Sequence, residues 1–226
     1  MDFVAEAPAA RRPHLEFLGQ ASASLAPGSR ILDVGSGDAP YRELFADHEY
    51  LTCDWEATQY TPGRQPDYVA PANDLPLDDD SLDALVCTQV LEHVPDPATV
   101  MSEFWRVLRP GASLWLTTPL TWYLHELPHD YFRYTSAGLA HLATEAGFVE
   151  HEIQPMNSAP ETIGQLLRHL GYLLGTHPDG HDPLRGQAAR VANDLAAVVE
   201  SFDSLDTQWW LPISYSLRTR KPRVAP

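Results

Sequence analysis

Apolar residues fall along this chain in two rhythms. Short runs at 30–34, 49–53, 67–70 and 83–87, then Ser113-Leu114-Trp115-Leu116-Thr117 and Phe148 to Ile153, are too brief for helices and are bounded by Pro, Gly and Asp, so they predict buried strands. Between them apolar positions return every three or four residues. Leu15, Phe17, Leu18 and Leu25 mark a helical pattern over 12–25 that breaks at Pro27-Gly28. Val100, Met101, Phe104, Val107 and Leu108 mark a second, capped by Asp96 before Pro97 and expected to end at Pro110-Gly111. Leu139, Leu142, Ala143 and Ala146 mark a third, capped by Thr135 or Ser136 and closed by Gly147. Strand and helix alternate as a parallel α/β sheet requires.

Past residue 153 the rhythm lengthens. Ile163, Leu166, Leu167, Leu170 and Leu174 form one helical stripe, and Val191, Leu195, Val198, Val199 and Phe202 form another, joined by a link over 176–186 rich in Gly, Pro, Asp and His. Ile213-Ser214-Tyr215-Ser216-Leu217-Arg218 then reads as a closing strand. Two amphipathic helices need a partner surface, so the insertion at 157–206 is expected to serve as a lid over a substrate or as the contact of a homodimer. A length of 226 residues suits a single domain, with 1–28 as an N-terminal helical cap.

The first strand ends in Asp33-Val34-Gly35-Ser36-Gly37-Asp38-Ala39, ahead of a short helix expected over Tyr41 to Ala46. Glycines there permit positive φ and let the backbone approach a ligand, and free N–H groups at a helix start favour polar groups. The second strand ends at Asp54, where a nucleotide-binding α/β sheet places an acid on the ribose hydroxyls. A dinucleotide fingerprint needs Gly or Ala where this chain has Pro40. Asp33 would also repel a pyrophosphate, which makes a ligand with an ammonium group the better match. Both points weigh against a nicotinamide oxidoreductase.

This segment resembles the first motif of the class I S-adenosylmethionine-dependent methyltransferases, acid-x-Gly-x-Gly-x-Gly, with Asp33, Gly35 and Gly37 matching and Ala39 in the last glycine's place. The resemblance continues through Leu75-Pro76-Leu77-Asp78-Asp79-Asp80-Ser81 and Leu91-Glu92-His93-Val94 to Leu108-Arg109-Pro110-Gly111, covering roughly residues 29 to 150. It implies a doubly wound, Rossmann-like seven-stranded α/β sheet in the order 3-2-1-4-5-7-6, strand 7 antiparallel, with the two-helix insertion between strands 6 and 7. It implies S-adenosylmethionine as cofactor. By the same resemblance Asp33 meets the methionyl ammonium, Gly35, Ser36 and Gly37 make room for the methionyl part and ribose, and Asp54 accepts from the ribose. Trp55, Ala72, Asn73 and Asp74 are then expected near the adenine, although Pro71 stands where the family often has Asp. Gln89, just past the fourth strand, falls at the ligand-bearing edge of such a sheet.

Charge narrows the acceptor. A formal charge of −16 works against polyanions, so no nucleic-acid partner is expected, and a small-molecule acceptor fits better. No apolar run is long enough to cross a membrane, and Asp2 and Glu6 do not suit a signal segment, so a cytoplasmic protein without membrane partners is expected. Cys53 and Cys87, at strand ends, read as reduced core thiols.

The densest polar and aromatic cluster follows the fifth strand: Trp122-Tyr123-Leu124-His125-Glu126-Leu127-Pro128-His129-Asp130-Tyr131-Phe132-Arg133-Tyr134. Small-molecule and sugar-modifying methyltransferases carry a similar His-Asp-x-x-Arg-Tyr stretch, matched by His129, Asp130, Arg133 and Tyr134. Methyl transfer needs alignment and, for some acceptors, removal of a proton. His129 is the first choice of base, with His125 and His93 behind it; an ordinary imidazole, pKa ~6.5, suits that task. Tyr123, Asp130, Tyr131 and Arg133 are the expected acceptor contacts. His125, Glu126, His129 and Asp130 could instead hold a divalent metal, but Pro128 disfavours presenting the two histidines on one helix, and no metal is assigned. The expected activity is methyl transfer to an oxygen or nitrogen of a small molecule, such as a sugar or secondary metabolite. The alternative is a protein of this fold that binds the cofactor without methyl transfer.

Overall fold

The computed structural model describes residues 11–56, 65–176, 183–205 and 210–223. The chain divides into two compact units, one of Met1–Pro119, Leu124–Gln154 and Tyr215–Pro226, the other of Leu120–Tyr123 and Pro155–Ser214.

Seven strands form one sheet: β1 (Arg30–Val34), β2 (Glu49–Asp54), β3 (Tyr68–Val69), β4 (Leu82–Thr88), β5 (Leu108–Pro119), β6 (Val149–Pro155) and β7 (Ser214–Arg220). Their order is β3-β2-β1-β4-β5-β7-β6, as the resemblance implied. Neighbours from β3 to β5 pair in parallel. β7 runs against β6, since Ser216 Oγ donates to the carbonyl of Gln154 while Thr219 Oγ1 donates to that of Val149.

Both faces of the central strands are covered, which explains why they read as continuous apolar runs. On one face Leu32, Val34, Leu85, Leu114 and Leu116 pack under Val100, Met101 and Phe104 of α2 (Pro97–Val107) and Leu139 and Ala143 of α3 (Ser136–Glu145). On the other, Ile31, Ala84, Val86 and Trp115 pack under Leu15, Leu18 and Ala21 of α1 (Arg12–Ala23). The pleat sends alternate residues of β1 to opposite faces, so Asp33 joins Ile31 on the α1 side. Both helix starts behave as expected: Asp96 accepts from the Thr99 N–H at 3.2 Å, and Thr135 Oγ1 from the Gly138 N–H at 3.1 Å. Cys53 and Cys87 are buried free thiols, and burial pushes the Cys53 pKa up to about 12.

Two boundaries differ from the sequence pattern. α2 stops at Val107 rather than at Pro110-Gly111, because the Asp80 and Ser81 N–H groups take the carbonyls of Arg106 and Val107 and draw the chain into the sheet. Gly111, at φ +86°, then makes a kink inside β5 instead of a helix stop. The helix expected over Tyr41 to Ala46 is a single 3-10 turn, Arg42–Phe45, because β2 begins three residues after Ala46 at Glu49. So short a turn offers no helix dipole to a ligand.

The second unit holds α4 (Ala159–Thr176) and α5 (Pro183–Glu200), the two helices expected there. Most of the link between them lies outside the described residues. Ser158 and Glu161 cap α4 reciprocally: the Glu161 N–H donates to Ser158 Oγ at 3.2 Å, and the Ser158 N–H to Glu161 Oε2 at 3.0 Å. The helices meet through small residues rather than through the apolar stripes. Gly164 lies so close to Glu200 that a Cβ would come within 2.4 Å of it, Gly171 faces Asn193, and Ala192 and Ala196 are buried. Val191, Leu195 and Val198 remain 57%, 47% and 56% exposed, so the second stripe faces outward.

Candidate functional site

A cavity of about 760 Å³ opens at the carboxyl ends of the parallel strands, where Val34 ends β1, Asp54 ends β2 and Thr88 ends β4. That edge is where open α/β sheets bind ligands, and the volume is ordinary for a small-molecule site.

The turn after β1 forms one wall. Its backbone is held open by hydrogen bonds to β2: the Gly35 and Ser36 N–H groups donate to the Cys53 carbonyl at 2.8 and 3.2 Å, and the Gly37 N–H donates to Asp54 Oδ2 at 2.8 Å. Gly35 and Gly37 have φ of +71° and +52°, and Ala39, in the third glycine's place, takes +55° despite its side chain. A Cβ on Gly35 would meet Val90 Cγ2 at 2.2 Å, so the turn needs glycine there for room as well as for φ. Val90 was not legible as a site residue. Its position one residue after Gln89 at the strand's end was the available signal.

Asp33 lies beneath this wall, not on it. It is buried, and burial pushes its pKa up to about 7 while the Tyr50 hydroxyl donates to Oδ2. Its Oδ1 and the hydroxyl of Ser36 are buried with no hydrogen-bond partner among the described residues. Two unpartnered oxygens under a glycine turn suit a ligand that brings polar hydrogens, an ammonium above all. Asp54 is more occupied than the sequence suggests, since its Oδ1 also accepts from the Trp55 N–H at 2.8 Å.

The remaining wall runs through Trp55, Ala70 to Asn73, Gln89, His93, Val94 and Asp96. Ala72 and Asn73 are on it as expected, joined by Ala70 and Pro71, whereas Asp74 turns away and closes the loop through its N–H to the Pro71 carbonyl. Arg106 of α2 pins the next residues by donating to the carbonyls of Leu77 and Leu75 at 2.8 and 3.1 Å. Gln89, at φ +54°, donates from Nε2 to Thr117 Oγ1 at 3.1 Å, and His14 of α1 lies 3.3 Å from the same oxygen. α1 thus reaches Gln89 through that relay.

The loop after β5 completes the cavity with Glu126, Leu127, His129 and Tyr131. The other expected site residues of this stretch are elsewhere. Asp130 is clasped by Arg133 at 2.6 and 2.8 Å and accepts from the His125 N–H at 2.9 Å, which holds its carboxyl well below the usual carboxylate range. These two residues set the loop's shape and do not line the cavity. Tyr123 belongs to the second unit, where its ring stacks on His169 at 3.6 Å. His125 packs edge-on against His93, ring centroids 4.7 Å apart, behind the wall.

Two imidazoles therefore face the cavity. His129 meets Trp55 edge-on at 5.1 Å, with Tyr131 Oη 3.3 Å from its Nδ1. His93 donates from Nδ1 to the His129 carbonyl at 2.6 Å, and its Nε2 lies 3.8 Å from both Glu92 and Glu126 carboxylates. Glu92 is fully buried, and burial pushes its pKa up to about 8. The four residues considered for a metal, His125, Glu126, His129 and Asp130, do not converge, because Asp130 is committed to Arg133 and His129 turns toward Trp55.

Residues 32–116 match a family model described as a methyltransferase domain. A ubiquinone biosynthesis O-methyltransferase of Thiobacillus denitrificans is 27% identical over 164 residues, covering 60% of this chain and 71% of that protein. Against three further relatives the chain spans 40 to 46% of their length. Among solved structures, the [4+2]-cyclase SpnF superposes with a TM-score of 0.61 at 20% identity, covering 94% of this chain and 82% of that one. A phosphoethanolamine N-methyltransferase of Haemonchus contortus, solved with S-adenosyl-L-methionine, superposes with a TM-score of 0.55 at 16% identity, covering 91% and 52%. Among the described residues no helix is long and apolar enough to cross a membrane.

Proposed function

The chain belongs to the class I S-adenosylmethionine-dependent methyltransferases, and from that premise we propose that it methylates an oxygen or nitrogen atom of a small-molecule acceptor. Of the two atoms, the relatives named O-methyltransferases favour oxygen. One observation carries the reading: the glycine turn and the histidine-bearing loop after β5 line the same cavity. Bound there, S-adenosylmethionine would supply an electrophilic methyl group on a sulfonium.

The residues divide the work. Gly35 to Gly37 give backbone room, and Asp33 and Ser36 offer the unpartnered oxygens that an ammonium would satisfy. Asp54 can accept from a ribose while it fixes Gly37 and Trp55. Leu127 and Val94 give an apolar surface around the acceptor, and His129 can take its proton, oriented by Tyr131. His93 is less suited to that task, because its Nε2 is directed at Glu92 and Glu126. The net charge of −16 supports a small acceptor over a polyanion.

The cyclase SpnF has a similar fold and a different activity in its name, which favours keeping one rival in view: use of the fold without methyl transfer. Incubation with labelled S-adenosylmethionine and a panel of phenolic, hydroxylated and amine acceptors separates the two. Release of S-adenosylhomocysteine only when an acceptor is present supports methyl transfer; cofactor binding with no release across the panel supports the rival.

A further inference from the structure

Glu92 is a buried carboxyl that the proposed reaction does not use. Its side chain is 0% exposed, and among the described residues neither carboxylate oxygen has a hydrogen-bond partner. A buried carboxyl without partners is costly unless something cationic shares its site. Two imidazoles stand beside it: one ligand atom from each of Glu92, His93 and His125 lies within 4.8 Å of the others.

The His93 ring is set in the way that metal-binding histidines are set. A ligating imidazole usually gives its other ring nitrogen to a carbonyl or carboxylate, which fixes the tautomer and aims the lone pair. His93 does so through Nδ1 and the His129 carbonyl at 2.6 Å, leaving Nε2 as the nitrogen nearest Glu92. His125 packs edge-on against the His93 ring, ring centroids 4.7 Å apart, with its Nδ1 3.4 Å from Asp130 Oδ2 and 3.5 Å from Arg133 Nη2.

We propose that Glu92, His93 and His125 bind one divalent transition-metal ion. Two imidazoles and one carboxylate suit Zn²⁺, Mn²⁺, Fe²⁺ or Co²⁺ rather than Mg²⁺ or Ca²⁺, which prefer oxygen throughout. Bonds of ~2.1 Å place tetrahedral ligand atoms roughly 3.4 Å apart, so the three side chains close inward by about 1 Å on binding. Three protein ligands leave a coordination position open. His93 is on the cavity wall, with Glu126 Oε2 3.8 Å from its Nε2, so the ion is reached from the side where the acceptor would sit.

The test uses tag-free full-length protein, stripped with a chelator, and neither methyl donor nor acceptor, so its outcome is independent of the methyl-transfer reading. Co²⁺ is added and followed by its visible absorption, and Zn²⁺ is titrated by calorimetry. One ion per chain is expected, with tetrahedral or five-coordinate Co²⁺ absorption. Both signals should disappear in Glu92→Gln and in His125→Asn and persist in His151→Asn, a histidine of β6. Circular dichroism melting identifies any variant that fails to fold, in which case the other ligand variant decides. No bound ion in the wild-type protein, or equal affinity in folded ligand variants, would overturn the proposal.

Discussion

The glycine turn after β1 and the loop after β5 border the same cavity but are shaped by different means. In the turn the backbone itself is the instrument: the N–H groups of Gly35, Ser36 and Gly37 are tied to the Cys53 carbonyl and Asp54, and three consecutive odd positions, 35, 37 and 39, take positive φ. In the loop, side chains hold one another. Asp130 and Arg133 neutralise each other, His93 reaches the His129 carbonyl, and only some of the polar residues are left facing the cavity. A backbone-built site tolerates few residue types, so spacing alone reveals it. A side-chain-built site depends on which partners find each other first.

That contrast can be broken at either end. The largest effect is expected at Gly35: Gly35→Val should abolish S-adenosylhomocysteine binding, because a Cβ there already meets Val90 at 2.2 Å and φ is +71°. Calorimetry checks this, and Gly35→Ala with Val90→Ala should recover part of the binding by removing the clash while keeping the strain. On the other side, His129→Ala should lower turnover by roughly 10²–10⁴-fold with S-adenosylhomocysteine affinity unchanged. Full activity in that variant would point to an acceptor that needs no base.

Asp33 links the turn to pH. Its carboxyl, raised to about 7 from an ordinary 3.8, would attract an ammonium only when ionised, so S-adenosylhomocysteine affinity should be level above pH 7 and fall roughly tenfold per unit below it. Asp33→Asn should bind weakly with no such slope. The sign for the ligand-free protein is opposite: the folded state favours protonated Asp33, so that contribution to stability is full below the unfolded carboxyl's value and is lost as pH rises through about 7. Melting temperature against pH, compared between wild type and Asp33→Asn, measures it.

Smaller effects follow from single hydrogen bonds and single dihedrals. Asp54→Ala should weaken S-adenosylhomocysteine by ~1–3 kcal/mol in titration calorimetry, partly through direct contacts and partly because Gly37 and Trp55 lose their anchor. Ala39→Gly should stabilise the protein by ~1 kcal/mol in urea unfolding, because Ala39 holds φ +55° at the cost of a Cβ clash that glycine lacks.

Legibility followed the same division. Strand order followed from the family resemblance, whereas the two inserted helices and the Asp96 and Thr135 caps could be read because amphipathic stripes and capping residues have few alternatives. The end of α2 could not, since Pro110-Gly111 serves equally well as a helix stop and as a kink within β5. Nor could the packing of α4 on α5, where Gly164 and Gly171 permit a closer approach than the apolar stripes would. In the site, Gly35, Gly37 and Asp54 stood out by spacing, whereas Asp130 and Arg133 looked like substrate ligands until their mutual clasp was seen. Glu92 gave no signal, because its burial depends on the loop after β5 crossing over it, where the Tyr131 N–H reaches its backbone carbonyl at 2.9 Å.

The division of labour between turn and loop is tested most directly by titrating S-adenosylhomocysteine into wild type, Gly35→Val and His129→Ala under one set of conditions. The expected result is one site per chain of equal, ~micromolar affinity in wild type and His129→Ala, and no binding in a folded Gly35→Val. Binding retained by Gly35→Val, or lost as fully in His129→Ala, would contradict a donor site built by the turn and an acceptor site built by the loop.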